Sequence, residues 1–187
     1  MKKVSFFLLG AAFLASSLAF VAPKNPKAPI TLAVQSDKSR VDFIGSKAAD
    51  FHTGTFAVKG GSVQVEGGKL VGGSFVIDLA NLEVTDAAGE RLAGHLKSAD
   101  FFDVAKFGEA TYTISSVDYS SATACTINGT LNIKGAGVPV SFAANIRSAS
   151  EKGLFGQAYF SLDRTLLGIA YAGPSKDVQI AVHLFAK

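Results

Sequence analysis

Cysteine, methionine, tryptophan and histidine are scarce in this chain of 187 residues, which has one Cys, one Met, three His and no Trp. A single cysteine, Cys125, excludes an intramolecular disulfide. Its strand-like setting from Thr123 to Ile127 reads as that of a small packed residue rather than a nucleophile. The histidines are scattered, and no His-Glu-x-x-His pair occurs, so no second His stands at ligand spacing from His95 and its neighbours Asp100 and Asp103. No Gly-x-Ser-x-Gly elbow and no glycine-rich loop running into a helix are present, which removes the local signatures of nucleophilic hydrolysis and of phosphate binding. Charge is thin too. Charged residues make up 18% of the chain, and Lys and Arg stand singly along it instead of forming the basic stripe with interleaved aromatics that a nucleic-acid surface needs. Part of the net charge of +3 comes from an N-terminal segment with Lys2, Lys3, Lys24 and Lys27.

What the chain does have is apolar bulk and glycine. Apolar residues reach 48%, enough to bury a core and offset the entropy of ordering, and the length suits one domain of about 100 to 200 residues. Fifteen Phe and 19 Gly favour strands joined by tight turns over helices. The N-terminus has its own pattern: Lys2 and Lys3, the apolar run Val4 to Leu14, then Ala15, Ser16 and Ser17. This reads as a secretory leader cut after Ala19, at residues 1–19, which implies export to the periplasm or beyond. The alternative is an uncleaved anchor, because Val4 to Ala22 is about long enough to span a bilayer. Residues 20–31, with Pro23, Pro26 and Pro29, read as an extended linker, and residues 32–187 as the domain.

Within the domain, apolar residues recur with period two: Val41 and Phe43, Phe56 and Val58, Val63 and Val65, then Phe75, Ile77 and Leu79. Gly60-Gly61, Gly67-Gly68 and Gly72-Gly73 fall where hairpin turns or bulges are expected. From Thr85 to Lys106 the period changes, with Asp86 placed to cap a short helix and Leu92 and Leu96 four apart. Alternation resumes at Ala110 to Ser116, Thr126 to Ile133, Pro139 to Ile146, Leu154 to Leu162 and Val178 to Leu184. Roughly eight strands are expected, a number that closes into a barrel either filled by side chains or holding one ligand. Neither a repeat nor a heptad is present, and no transmembrane helix follows the leader.

Four segments in this order resemble the YceI-like family. The most specific is the run Arg91 to Phe107, in which His95-Leu96-Lys97-Ser98 leads into Asp100-Phe101-Phe102-Asp103; with it go Ser39 to Phe43, Gly72 to Asp78 and Asn128 to Gly135. The chain departs from the family pattern at Ala33-Val34-Gln35, where an aromatic is usual, at Gly108, where a proline often stands, and in a short segment from Gly168 to Asp177. The resemblance covers about Leu32 to Leu184. It implies an all-β fold, an eight-stranded antiparallel lipocalin-like barrel with one short helical insertion. It also implies a periplasmic carrier of an isoprenoid or other long apolar lipid, with no enzyme activity, no cofactor and no metal.

An isoprenoid needs a continuous apolar wall, and the residues offered for it are Phe43, Phe56, Phe75, Ile77, Phe142 and Phe160. Phe101 and Phe102 are candidates to gate the mouth, with Leu92 and Leu96 holding the helix above it. The competing expectation is that these side chains simply fill the barrel, making it a structural or interaction protein of the envelope; a small hydrolase or isomerase on the same barrel is the third. His52 is read either as facing a ligand head group or as a solvent-facing edge residue, with Lys47 a nearby cation for a phosphate. His95, Asp100 and Asp103 are expected to form a hydrogen-bonded turn, Asp163-Arg164 a strand-end ion pair, and His183 an outward residue. Expected partners are the lipid and, as an open case, a second copy of the chain; no nucleic acid and no membrane span after leader removal are expected.

Overall fold

The computed structural model describes residues 28–187, so the expected leader and most of the linker lie outside the described residues. The strands are β1 (Ile30–Ala33), β2 (Arg40–Lys47), β3 (Asp50–Glu66), β4 (Lys69–Val84), β5 (Glu109–Tyr119), β6 (Ala124–Ile133), β7 (Ala136–Ser150), β8 (Gly153–Asp163) and β9 (Asp177–Ala186). One helix, α1 (Gly89–Lys97), follows β4, and a 3-10 turn, Arg164–Leu167, follows β8. Strands β2 to β9 pair in sequence, each antiparallel to the next, and β9 returns to pair with β2. The result is a closed barrel with no free edge running its whole length.

The nine strand segments make an eight-stranded barrel because β1 and β2 share one slot. Both pair with β3, β1 at Ile30↔Val65 to Ala33↔Ser62 and β2 from Arg40↔Ala57 onward. On its other side β1 meets the end of β9, where Ala33 and Lys187 exchange backbone hydrogen bonds of 3.0 and 2.9 Å. Between the two segments Ser39 is buried, and its hydroxyl both donates to Phe185 O and accepts from Phe185 N–H, which continues the ladder across the break.

Period-two patterning puts alternate side chains inside, as on β7, where Val140, Phe142, Ala144 and Ile146 are buried and Ser141, Ala143, Asn145 and Arg147 are exposed. Of the three glycine pairs only Gly67-Gly68 forms a turn. Gly61 and Gly73 lie inside β3 and β4, with φ of +136° and +134°, where the two backbones approach so closely that a Cβ on either would come within 2.4 Å of a main-chain oxygen of the other strand. Bulges after Thr55, Val58 and Gln64 bend this pair of long strands around the barrel. The helix starts differently from the sequence expectation. Ala88 occupies the N-cap position without a side-chain bond, and Asp86 sits two residues earlier, accepting the Ala88 N–H at 2.8 Å.

The interior divides in two along the barrel axis. At one end Leu32, Val63, Val65, Leu70, Leu154 and Leu184 fill it, with Val63 wholly buried and Leu70 2% exposed. The opposite end is hollow.

Candidate functional site

The hollow end encloses a cavity of about 710 Å³. Its wall comes from inward positions at the mouth ends of the strands: Phe43 on β2, Phe56 on β3, Phe75 and Ile77 on β4, Tyr112 on β5, Phe142 on β7 and Phe160 on β8. The rings touch in series. Phe43 lies 5.3 Å from Phe56 between centroids, and Phe56 meets Phe102 edge-on at 5.6 Å. On the other side Phe75, Tyr112 and Phe142 follow at 5.8 and 5.4 Å, and Phe160 stacks on Phe142 at 4.5 Å. That last stack spans a gap, because the β7–β8 pairing runs from Ala144↔Ala158 away from the mouth. The part of β7 nearer the mouth therefore has β6 as its only paired neighbour, which is where Pro139 is accommodated.

The mouth is roofed by α1 with the segment that follows it, by the β2–β3 hairpin tip and by the loop 168–176. Leu92 and Leu96 point from α1 into the cavity, joined by Phe101 and Phe102. The chain after α1 folds back on the helix end: the N–H groups of Phe102, Asp103 and Val104 donate to the carbonyls of Leu96, Ser98 and Lys97 at 3.1, 2.8 and 3.1 Å. These bonds satisfy carbonyls that a helix terminus leaves open, and Asp103 adopts a positive φ of 50° to close the turn. The expected hydrogen-bonded turn is thus built mainly from main-chain groups. The His95 ring instead packs edge-on against Phe101 and Tyr171, each 5.0 Å away, while Asp103 pairs with Lys106 at 3.2 Å and Asp100 is exposed.

All nine residues expected at the site, Phe43, Phe56, Phe75, Ile77, Leu96, Phe101, Phe102, Phe142 and Phe160, line this one cavity. The expected solid filling is present only at the far end. His52 sits at the rim, half-buried, with Nδ1 3.2 Å from an Asp86 oxygen. Asp86 also accepts the Thr53 N–H at 2.8 Å, and the Ala88 and Thr53 amides, with the imidazole as a further partner, hold its carboxyl below the usual carboxylate range. Lys47 stands 3.8 Å from Asp50, so this rim cation already faces a carboxylate. His183 lies outside the barrel, beside Gln157 and Tyr159. Cys125 is buried in the filled end, where desolvation raises its thiol pKa.

One expectation is corrected. Asp163 and Arg164 do not pair with each other. Asp163 caps the 3-10 turn by accepting the Thr165 N–H and stands 3.8 Å from Lys176. Arg164 turns inward, is buried, and donates to four carbonyls of the mouth loop: Ser175 at 2.9 Å, Ile169 at 2.6 Å, Tyr171 at 2.7 Å and Pro174 at 2.8 Å. Its rigid fork holds the loop 168–176 in shape. Adjacent residues in sequence suggested a pair, whereas the carbonyls that satisfy the guanidinium come from a loop whose shape the sequence does not display.

Sequence reading passed over Tyr112, although it alternates with Ala110 on β5, and aliphatic wall residues such as Leu131, Val140 and Ile180. The Tyr112 hydroxyl crosses β6 and donates to Val140 O on β7 at 2.8 Å. Burial pushes its pKa up to about 12. Gly129 on β6 makes the crossing possible: a Cβ there would stand 2.5 Å from Tyr112 Cζ and 2.4 Å from Thr113 O. The polar groups facing the cavity are therefore largely committed to the protein itself, and the space between them is apolar.

A barrel hollow at one end, lined by aromatic and aliphatic side chains and roofed by a helix and two loops, is the architecture of a protein that holds an apolar molecule. A model of the YceI-like domain family matches residues 32–186, and the chain belongs to that family. Among solved structures it is similar to Burkholderia cenocepacia BcnA, with a TM-score of 0.70 and 19% identity over 82% of this chain and 99% of that one. A polyisoprenoid binding domain from Saccharophagus degradans, implicated in plant cell wall breakdown, matches with a TM-score of 0.66 and 17% identity over 83% and 97% of the two chains. The Campylobacter jejuni YCEI protein matches with a TM-score of 0.56 and 14% identity over 96% and 99%. No curated protein matches the chain. Among the described residues no helix is long and apolar enough to cross a membrane.

Proposed function

We propose that this protein is a non-enzymatic carrier of an isoprenoid-type lipid, with the apolar tail inserted into the cavity. The observation that carries this reading is the 710 Å³ apolar cavity, into which all the expected wall residues converge. Burying a methylene contributes about 0.8 kcal/mol, so some fifteen buried carbons contribute roughly 12 kcal/mol against ~4–15 kcal/mol of lost freedom on association. A short apolar molecule would not hold, and a chain of several isoprene units would. The polar groups at the mouth are tied to the protein in pairs and loops, which leaves the tail as the part of the ligand that the site recognises. Family membership and the similarity to the polyisoprenoid binding domain from Saccharophagus degradans support the same ligand class. We place the protein in the periplasm, exported by the leader at residues 1–19.

The test is native mass spectrometry of the mature protein from its own cells, followed by organic extraction and mass analysis of what is bound. A stoichiometric prenyl or quinone-type lipid on a chain beginning at Phe20 is the expected result. A protein that is always empty, and whose melting temperature does not move when prenyl alcohols are added, would return the barrel to a structural role.

A further inference from the structure

We infer that Tyr112 and the rings beside it form a floor that limits the bound chain to about four isoprene units. This deepens the carrier reading and rests on it. Side chains line the cavity down to one level of the barrel and stop there. On β9, Val178, Ile180 and Val182 face the cavity, whereas Leu184, next inward on the same face, is packed in the filled end. On β7, Val140 and Phe142 face it and Ile146 does not. At that level Tyr112 lies across the barrel wall over Gly129, with Phe75 on one side and Phe142 on the other, and is anchored by its bond to Val140. Beyond the floor Val58 and Val63 are 1% and 0% exposed, so a chain that reaches the rings has no open space ahead of it.

Two measures set the length. The wall runs from Val41 to Lys47 on β2, which at a strand rise of about 3.3 Å and a barrel tilt of about 40° gives a depth of roughly 15 Å. Three main-chain bonds of a polypeptide span at most ~3.5 Å, so the four chain bonds of an isoprene unit span about 4.7 Å and a straight chain of about three units reaches the floor. By volume, 710 Å³ at about 30 Å³ per water-sized group takes roughly 24 non-hydrogen atoms, close to five units of five carbons. A chain slightly bent within the cup falls between the two. Additional units of a longer lipid project from the mouth and gain no further wall.

The experiment is a competition series in which prenyl alcohols of two to eight units, and linear alkanols of matching length, displace anilinonaphthalene sulfonate from the full domain. Affinity is expected to rise with each unit up to about four and then to change by less than about threefold up to eight, because carbons outside the cup bury no further apolar surface. Ala110→Leu, which adds bulk to the wall next to Tyr112, is expected to move the plateau to a chain about one unit shorter, and Tyr112→Ala to one about a unit longer. Because Tyr112→Ala removes a buried anchor and can cost folding, the unmodified protein and Ala110→Leu carry the decision. Affinity that climbs steadily through eight units overturns the floor and leaves the carrier reading intact. Alkanols that bind with the same cut-off while prenyl alcohols do not bind overturn the isoprenoid reading and leave the floor. Failure of both series removes both.

Discussion

The two ends of the barrel use the same strands and the same alternation, yet one is solid and the other hollow. At the filled end the inward side chains are mostly Val, Leu and Ile, and they meet across the axis with Val63 and Val58 almost wholly excluded from solvent. At the mouth the rings of Phe43, Phe56, Phe75, Tyr112, Phe142 and Phe160 join aliphatic side chains in the wall and touch one another in series, and β7 and β8 have separated. Rings packed against one another around the mouth border an open space, whereas at the far end aliphatic side chains meet and fill it. On the carrier reading, stability rests on one end and lipid binding on the other, and loss of a side chain should have different consequences at each.

The largest expected contrast is between Leu70→Ala and Ile77→Ala, both on β4. Leu70 is 2% exposed in the filled end, and its truncation leaves a cavity that costs about 2–5 kcal/mol. Ile77 borders space that is already empty, so its truncation is expected to cost roughly 1 kcal/mol or less while weakening lipid binding. Urea unfolding of the two variants checks this, and equal losses of stability would erase the distinction between the ends. A smaller effect is expected from Arg164→Lys. An ammonium lacks the fork that reaches four carbonyls, so stability should fall by only ~1–3 kcal/mol while amide exchange in the loop 168–176 rises, with the filled end unchanged. Hydrogen exchange resolved by peptide decides it.

The smallest effect concerns pH at the rim. The Asp86 carboxyl is lowered from its ordinary 3.8 by the amides of Ala88 and Thr53 and by His52. A carboxyl depressed in the folded state stabilises it above the ordinary value, and this contribution is lost as pH falls through the lower, folded value. The wild type is therefore expected to lose its advantage over Asp86→Asn as melting is followed from pH 6 down to about 2. Lipid release should follow the same trend, since Asp86 ties the start of α1 to β3 beneath the roof. An unchanged difference between the two proteins at every pH would detach this carboxylate from the roof.

Much of the fold was legible because its signals are local. The strands at 136–150 and 177–186 show plain alternation, the change of period after Thr85 announces α1, and hairpins fall at Lys134-Gly135 and between Ser150 and Gly153. Gly61 and Gly73 misled in part, because a glycine needed for close approach of two backbones looks in sequence like a glycine needed for a turn. The wall was legible in part because Phe and Ile recur with period two on the strands that line it, although the same alternation places Phe155, Phe185 and Tyr159 on the outer face.

The sequence by itself determined that the strands are two-faced, since period-two alternation gives each one apolar face to bury; which parity points inward was settled only by closure of the barrel, which leaves Phe155, Phe185 and Tyr159 on the outside. Only the tertiary structure decided whether those side chains meet or leave a space, because that depends on bulges, on the separation of β7 from β8, and on the tilt each ring adopts against its neighbour. It decided as well that Arg164 binds four carbonyls and that Tyr112 crosses to Val140. Each of these bonds joins groups from separate segments, and their distance follows from the closed barrel rather than from any local pattern.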